Sequence, residues 1–280
     1  VIGISAVDGQ GRLFSAGGRV VKNVAGYDLC KLLVGSMGTL AIITQVTLKL
    51  RPLAESRVLL WGTFSALEQI DDALERLLCS QTRPVAIEVL NPAAIHQILR
   101  ESKLELPADQ FVLCLAFEGT PQQTAWELQA ARQELSGHRP GVLLPVEEAA
   151  SRALWSALCE YQAASDDPLT LQASVPPSAA MELVGQATRS GIAVQCHAGN
   201  GVIIGHLPDR CSTAQEAAAV LRPLREQCEQ SGGSLVVLAC DDDWKSRIPL
   251  FGTPRAAAPL EARIKAALDP QDLLSPRRLG

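Results

Sequence analysis

From Pro52 onward the apolar positions switch repeatedly between a period near two and a period near 3.6. Leu67, Ile70, Leu74, Leu77 and Leu78 share one face of a helix through LEQIDDALERLL. RVLLWGTF, residues 85–90 and QFVLCLAFEG are short apolar runs of strand type. The same reading predicts helices over AAIHQIL, TAWELQAARQELSG (stopped by Gly137), EEAASRALWSALCEYQ and SAAMELVGQATRSG. It predicts two more over TAQEAAAVLRPLREQCEQSG, interrupted at Pro223, and PLEARIKAALDP, ended by Pro270. LTLQASVP and SLVVLA read as strands, and IAVQCHAGNGVIIGHL as a hairpin. Strands interleaved with helices in this way predict an α+β sheet of the ferredoxin-like kind, with helices on one face and no internal sequence repeat. PRAAAPLEA reads as a linker into the last helix.

The first fifty residues follow a different pattern. VIGISAV, the turn DGQG and RLF predict a hairpin, already in mid-fold at Val1, so the fold is expected to begin before this residue. In KNVAGYDLCKLLVGSMGTLAIITQVTLKL a short helix over 27–34 is expected, with Asp28 as its cap and Gly35 as its stop. A strand follows from Leu40, expected to bury Val46, Leu48 and Leu50 and expose Gln45, Thr47 and Lys49. Gly26, Gly35 and Gly38 mark turns where backbone N–H groups can approach a ligand closely, a phosphate or a flavin. Taken by themselves, they are more simply accounted for as ordinary connection between a helix and a strand. Neither a Walker A loop nor a GxGxxG fingerprint is present. The change of pattern divides the chain near Leu53.

Composition narrows the functional classes. In 280 residues, 47% hydrophobic and 20% charged, there is enough apolar material for a full core. The net charge of −5 and the lack of a basic block argue against nucleic acid as a partner. No apolar run is long enough for a transmembrane segment. Eight cysteines without a CxxC or zinc spacing fit a reduced, cytoplasmic setting, and no metal is expected. The stretch most suggestive of chemistry is QCHAGNGVIIGH, where Gly199 and Gly201 flank Asn200, so that a tight turn would present His197 and Asn200. These two are the candidate catalytic residues. A hairpin turn carrying a surface histidine, with no carboxylate partner nearby in sequence, is the alternative. His206 falls at the far end of the next strand. Without GxSxG, HExxH or another acid–base set, any chemistry is expected to be borrowed from a cofactor.

Three blocks then read together. GRVVKNVAGYDLCKLLVGSMGTLAIITQVTLKLRP resembles the closing part of the FAD-binding domain of the vanillyl-alcohol-oxidase/PCMH-type flavoproteins. HAGNG and IKAALDPQDLLSPRRLG resemble two sites of the FAD-linked oxidase C-terminal cap. Within the family the chain looks most like the smaller flavin-binding subunit of bacterial glycolate oxidase. The resemblance implies an FAD-domain portion over 1–54, a ferredoxin-like cap or substrate domain over 55–265 and a tail over 266–280 returning toward the flavin domain. It implies FAD as cofactor, with Lys22, Asn23, Gly26, Tyr27, Asp28, Gly35, Gly38, Thr39 and Ile42 at the flavin site. It implies oxidation of a small 2-hydroxy acid such as glycolate to glyoxylate, beside a larger flavin subunit and an iron–sulfur subunit that takes the electrons. The setting implied is cytoplasmic, with any membrane association made through partner subunits. A non-catalytic flavin-binding or structural subunit of the same complex is the other reading. Two departures favour it: Asn200, Val202 and Ile204 replace the family's Asp, Asn and His, and Leu158 and Cys159 stand where an arginine would clamp a carboxylate.

Overall fold

The computed structural model describes residues 1–19, 27–163, 167–252 and 257–276. They divide into two units, Val1–Leu53 with Thr253–Gly280, and Ala54–Gly252. In the first, β1 (Gly3–Val7) lies between β2 (Leu13–Gly17) and β3 (Ile42–Thr47) in an antiparallel three-stranded sheet. The helix α1 (Leu29–Leu33) is capped by Asp28, as its sequence predicts. Its small core joins Ile4, Ala6, Cys30, Leu33, Leu40 and Ala41, with Ile264 and Leu268 of a terminal helix, Ala258–Leu268, packed against them. That helix, which the sequence places within the second segment up to 265, therefore packs with the first fifty residues. Of the expected linker, 254–256 lie outside the described residues, and the helix begins at Ala258.

β3 departs from expectation. Val46, Leu48 and Leu50, expected to be buried, are all exposed, as are Ile42 and Ile43, so the apolar face read from the alternation is not covered within the described residues. Among the described residues the strand pairs only with β1.

The second unit is one eight-stranded antiparallel sheet. Its elements run β4 (Ser56–Phe64), α2 (Leu67–Leu78), β5 (Ala86–Leu90), α3 (Pro92–Ser102), β6 (Phe111–Gly119), α4 (Pro121–Ser136), β7 (Leu143–Val146), α5 (Glu148–Glu160), β8 (Leu169–Ser174), α6 (Pro177–Arg189), β9 (Ala193–His197), β10 (Val202–His206), α7 (Ala214–Gln230) and β11 (Ser234–Cys240); the terminal helix is α8. The strand order is β11-β8-β10-β9-β5-β6-β4-β7. The second half is a βαββαβ arrangement, the first half carries one more helix, α3, between its second and third strands, and in each the fourth, first, third and second strands lie side by side, the ferredoxin-like order. The halves meet where their second strands, β5 and β9, pair antiparallel. The fold thus repeats although the sequence does not.

Helices cover both faces of the sheet, which corrects the expectation of one. Val58, Leu60 and Phe64 of β4 join the core under α2, α4, α6 and α7, whereas Leu59 and Trp61 join the core under α3 and α5. On β6, Leu113, Leu115 and Phe117 separate in the same way from Val112, Cys114 and Ala116. An unbroken apolar run such as FVLCLAF is what a strand buried on both faces requires. α7 also runs through Pro223 without a break. Proline removes one N–H and crowds the preceding turn; here Ala217, Leu221, Leu224 and Cys228 anchor the helix on both sides of it.

Asn91 fixes the junction of the halves. It is 1% exposed; its Oδ1 accepts from Ala94 N at 3.1 Å, capping α3, and from Val194 N of β9 at 2.9 Å. Its Nδ2 donates to Ile192 O at 2.7 Å and to Thr188 Oγ1 at 3.1 Å. All four hydrogen-bonding positions of this buried amide are used, which sets the register of β5 against β9.

Candidate active site

The β5–β9 register places Glu88 directly opposite His197. Both lie on the face covered by α3 and α5, since Ala86, Leu90 and Ala193, at alternate positions on the same strands, belong to that core. His197 Nδ1 stands 2.9 and 2.8 Å from the two oxygens of Glu88. An ionised carboxylate only accepts, so Nδ1 carries the proton and donates, and the lone pair of the neutral ring lies at Nε2. The His197 side chain makes no other hydrogen bond among the described residues, and it is 37% exposed against 8% for Glu88. Gln195, 1% exposed, fixes the carboxylate by donating from Nε2 to Glu88 Oε2 at 2.9 Å and to the Leu158 carbonyl of α5 at 3.2 Å. The hydrogen bond that His197 donates to Glu88 raises the His197 pKa above its ordinary value, against the opposing pull of partial burial.

Asn200 has a different part. It is exposed, and its side-chain carbonyl accepts from Val202 N at 3.0 Å, shaping the turn between β9 and β10. Gly201 has φ of 73°, and a Cβ there would lie 1.9 Å from the Val175 carbonyl oxygen, so only glycine fits. Of the two candidates, then, the structure gives His197 a reactive setting and Asn200 a turn.

Glu88 and Gln195 escaped the sequence reading, which found no carboxylate near His197. Glu88 lies 109 residues away, and its one signal was an acid inside the apolar run VAIEVL. Cys114 faces Glu88 across β5–β6, and burial pushes its thiol pKa far up, with Glu88 adding to the shift, so it stays protonated. His206 is 1% exposed, its Nε2 donating to the Tyr161 carbonyl at 2.9 Å and its Nδ1 meeting Thr170 Oγ1 at 3.2 Å. Burial lowers its pKa, so it is a neutral core histidine.

Leu158 is buried and Cys159 exposed on α5. An arginine does approach this helix, from β4: the Arg57 guanidinium lies 5.1 Å from the Trp155 ring centroid. It is paired with Glu118, its partner across the sheet. Among the described residues, no group of three His, Cys, Asp or Glu side chains is placed to hold a metal ion. None of their helices is long and apolar enough to cross a membrane.

The residues expected at a flavin site lie in the first unit, except that Lys22, Asn23 and Gly26 fall outside the described residues. Tyr27 and Ile42 are exposed. Thr39 is buried, its hydroxyl donating to Ser36 O at 2.7 Å. The Ser36–Thr39 turn is closed by Thr39 N to Ser36 O at 3.0 Å, with φ of 52° at Met37 and 72° at Gly38, the combination of a type I′ turn. The N–H groups of Gly35, Met37 and Gly38 make no hydrogen bond among the described residues, and a Cβ on Gly35 would meet nothing within 4 Å. Unpaired donors beside open space suit a group rich in acceptors, as a flavin nucleotide is.

The family described as FAD linked oxidases, C-terminal domain, matches residues 53–238. The glycolate oxidase subunit GlcD of Bacillus subtilis is 23% identical over 100% of this chain and 63% of its own length. The cytochrome-type mitochondrial D-lactate dehydrogenase of Arabidopsis thaliana is 27% identical over 72% of this chain and 38% of its own. The glycolate oxidase subunit GlcE of Escherichia coli is 37% identical, but over 27% of this chain and 21% of its own. The chain therefore spans less than two thirds of the length of these relatives. The solved structure of p-cresol methylhydroxylase with substrate bound shares the fold over 100% of this chain and 64% of its own, with a TM-score of 0.68 at 16% identity. With more than half of its residues matched by that family, the chain belongs to the FAD linked oxidases through their C-terminal domain, and its cofactor is FAD.

Proposed function

We propose that this chain is part of an oxidoreductase that converts a small 2-hydroxy acid, glycolate or a close analogue, to the 2-oxo acid, passing electrons to an iron–sulfur partner subunit. The observation that carries this reading is the His197 imidazole, held at Nδ1 by a buried carboxylate with Nε2 free. Removing hydride from the carbon of an alcohol requires removal of the hydroxyl proton, and Nε2 is the group suited to take it. Glu88 stabilises the imidazolium that results, and Gln195 keeps Glu88 in place. FAD supplies the two-electron acceptor when bound. The residues of this chain that would hold it are Tyr27, Asp28, Gly35, Gly38, Thr39 and Ile42, with Lys22, Asn23 and Gly26. The relatives named as glycolate oxidase subunits and D-lactate dehydrogenase support the hydroxy-acid class.

Leu158 and Cys159 favour a second reading, a flavin-binding subunit whose chemistry is done by a partner, since α5 offers no arginine to a substrate carboxylate there. Anaerobic titration of the full-length protein with glycolate and D-lactate, following flavin absorbance, separates the two. Bleaching by either acid is expected. A yellow protein that stays oxidised with both would leave the accessory reading.

A further inference from the structure

The Ser36–Thr39 turn is held from behind by the far end of the chain. Met37 is a side-chain-bearing residue in the left-handed region, a conformation that persists only where its surroundings impose it. Lys265, in the last turn of α8, donates from Nζ to the Thr39 carbonyl at 3.0 Å. The same ammonium reaches Leu274 O at 2.8 Å, Asp269 Oδ2 at 2.5 Å and Asp272 Oδ1 at 3.1 Å, and its side chain is only 16% exposed. Ser275 Oγ donates to the Met37 carbonyl at 3.4 Å. Two carbonyls of one turn are thus gripped by residues more than two hundred positions away.

The clamp is itself rigid. Asp269, 2% exposed, accepts from Leu273 N at 3.0 Å and Leu274 N at 2.8 Å, so the loop after α8 folds back over Lys265. Gly9 packs directly on Asp269, where a Cβ would come within 2.2 Å of Oδ1, and Gly9 N donates to Leu268 O at 2.9 Å. The β1–β2 turn therefore backs the clamp.

We infer that Lys265 is a positioning residue for cofactor binding: through the Thr39 carbonyl it holds the Ser36–Thr39 turn in the shape that leaves the Gly35, Met37 and Gly38 N–H groups free for FAD. The inference rests on the proposed flavin site at this turn. With its carbonyls bound to the clamp, the turn keeps its donors for a ligand. Without the ammonium, Thr39 O loses its partner and Met37 is free to relax out of the left-handed region.

The test uses the full-length protein and three variants, Lys265→Met, Lys265→Arg and Ser275→Ala, with FAD affinity read by flavin fluorescence and hydrogen exchange read at residues 36–40. Lys265→Met is expected to weaken FAD binding by about five- to thirtyfold, the ratio set by the conformational preference of one left-handed residue. It should also speed exchange across the turn. Lys265→Arg keeps the charge and is expected to lose less. Ser275→Ala, at an exposed hydroxyl, leaves the fold intact and should speed exchange at the same residues even if Lys265→Met does not fold. FAD affinity within twofold of the parent in Lys265→Met, or unchanged exchange in Ser275→Ala, overturns the inference alone. A parent protein that binds no FAD overturns the flavin site and the inference together.

Discussion

His197 and Glu88 make a pair whose strength depends on pH in a defined direction. Glu88 raises the His197 pKa from 6.5, so the pair stabilises the fold fully below that ordinary value and ceases to do so as pH rises through the raised one. Glu88→Gln should therefore lower resistance to urea more at pH ~5.5 than at pH ~8.5, and an equal loss at both would argue against the pairing. As a base, His197 must be neutral, so kcat/KM should rise with pH through the raised pKa, and in Glu88→Gln that limb should move toward acid. His197→Gln is expected to cost about 10²- to 10⁴-fold in kcat/KM, the usual contribution of a positioned proton acceptor. Gly201→Ala tests the turn beneath the site. With φ of 73° and a carbonyl 1.9 Å from the new methyl, it should destabilise by at least about 2 kcal/mol, measured by denaturant unfolding.

At the scale of elements, most strands and helices were readable from periodicity, and the failures have physical causes. β7 was missed because Leu143–Val146 is four residues long with a proline, too short for a period to show. The break predicted at Pro223 ignored the packing on either side of it, which holds α7 together. Pro223→Ala should restore the missing hydrogen bond and raise the stability of the unit, by up to ~3 kcal/mol if the site is otherwise unstrained; a lower melting temperature would show that the proline ring itself packs. The exposure of β3 was invisible because alternation reports that a face is apolar and says nothing of what covers it. The site was half legible for the same kind of reason. His197 stands at a glycine turn and can be seen locally, whereas Glu88 reaches it only through strand pairing between residues 109 positions apart.

In the molecule as a whole, the two units differ in how much core they own. Ala54–Gly252 has two extensive apolar clusters, one on each face of its sheet, whereas the cluster of the first unit has six buried members among the described residues. Residues 54–252 expressed alone should therefore fold, with one cooperative urea transition and the blue-shifted emission of Trp61, which is fully buried with its indole N–H on Pro107 O at 3.1 Å. A broad transition without that emission would show that the core needs residues outside this range. In such a fragment the His197 titration should still carry the upward shift, since Glu88 and Gln195 lie within it.

The seam between β5 and β9 has a consequence in symmetry. Were two identical ferredoxin-like halves to pair through their second strands, a twofold axis would run through the seam. Any acid facing a base across it would then occur twice, and a residue on the axis would face its own copy. Joining two different halves in one chain removes that axis. Glu88 from one half can face His197 from the other once only, with Gln195 beside it, so the seam carries a single, handed Glu88–His197 pair where a symmetric pair of halves would carry two or none.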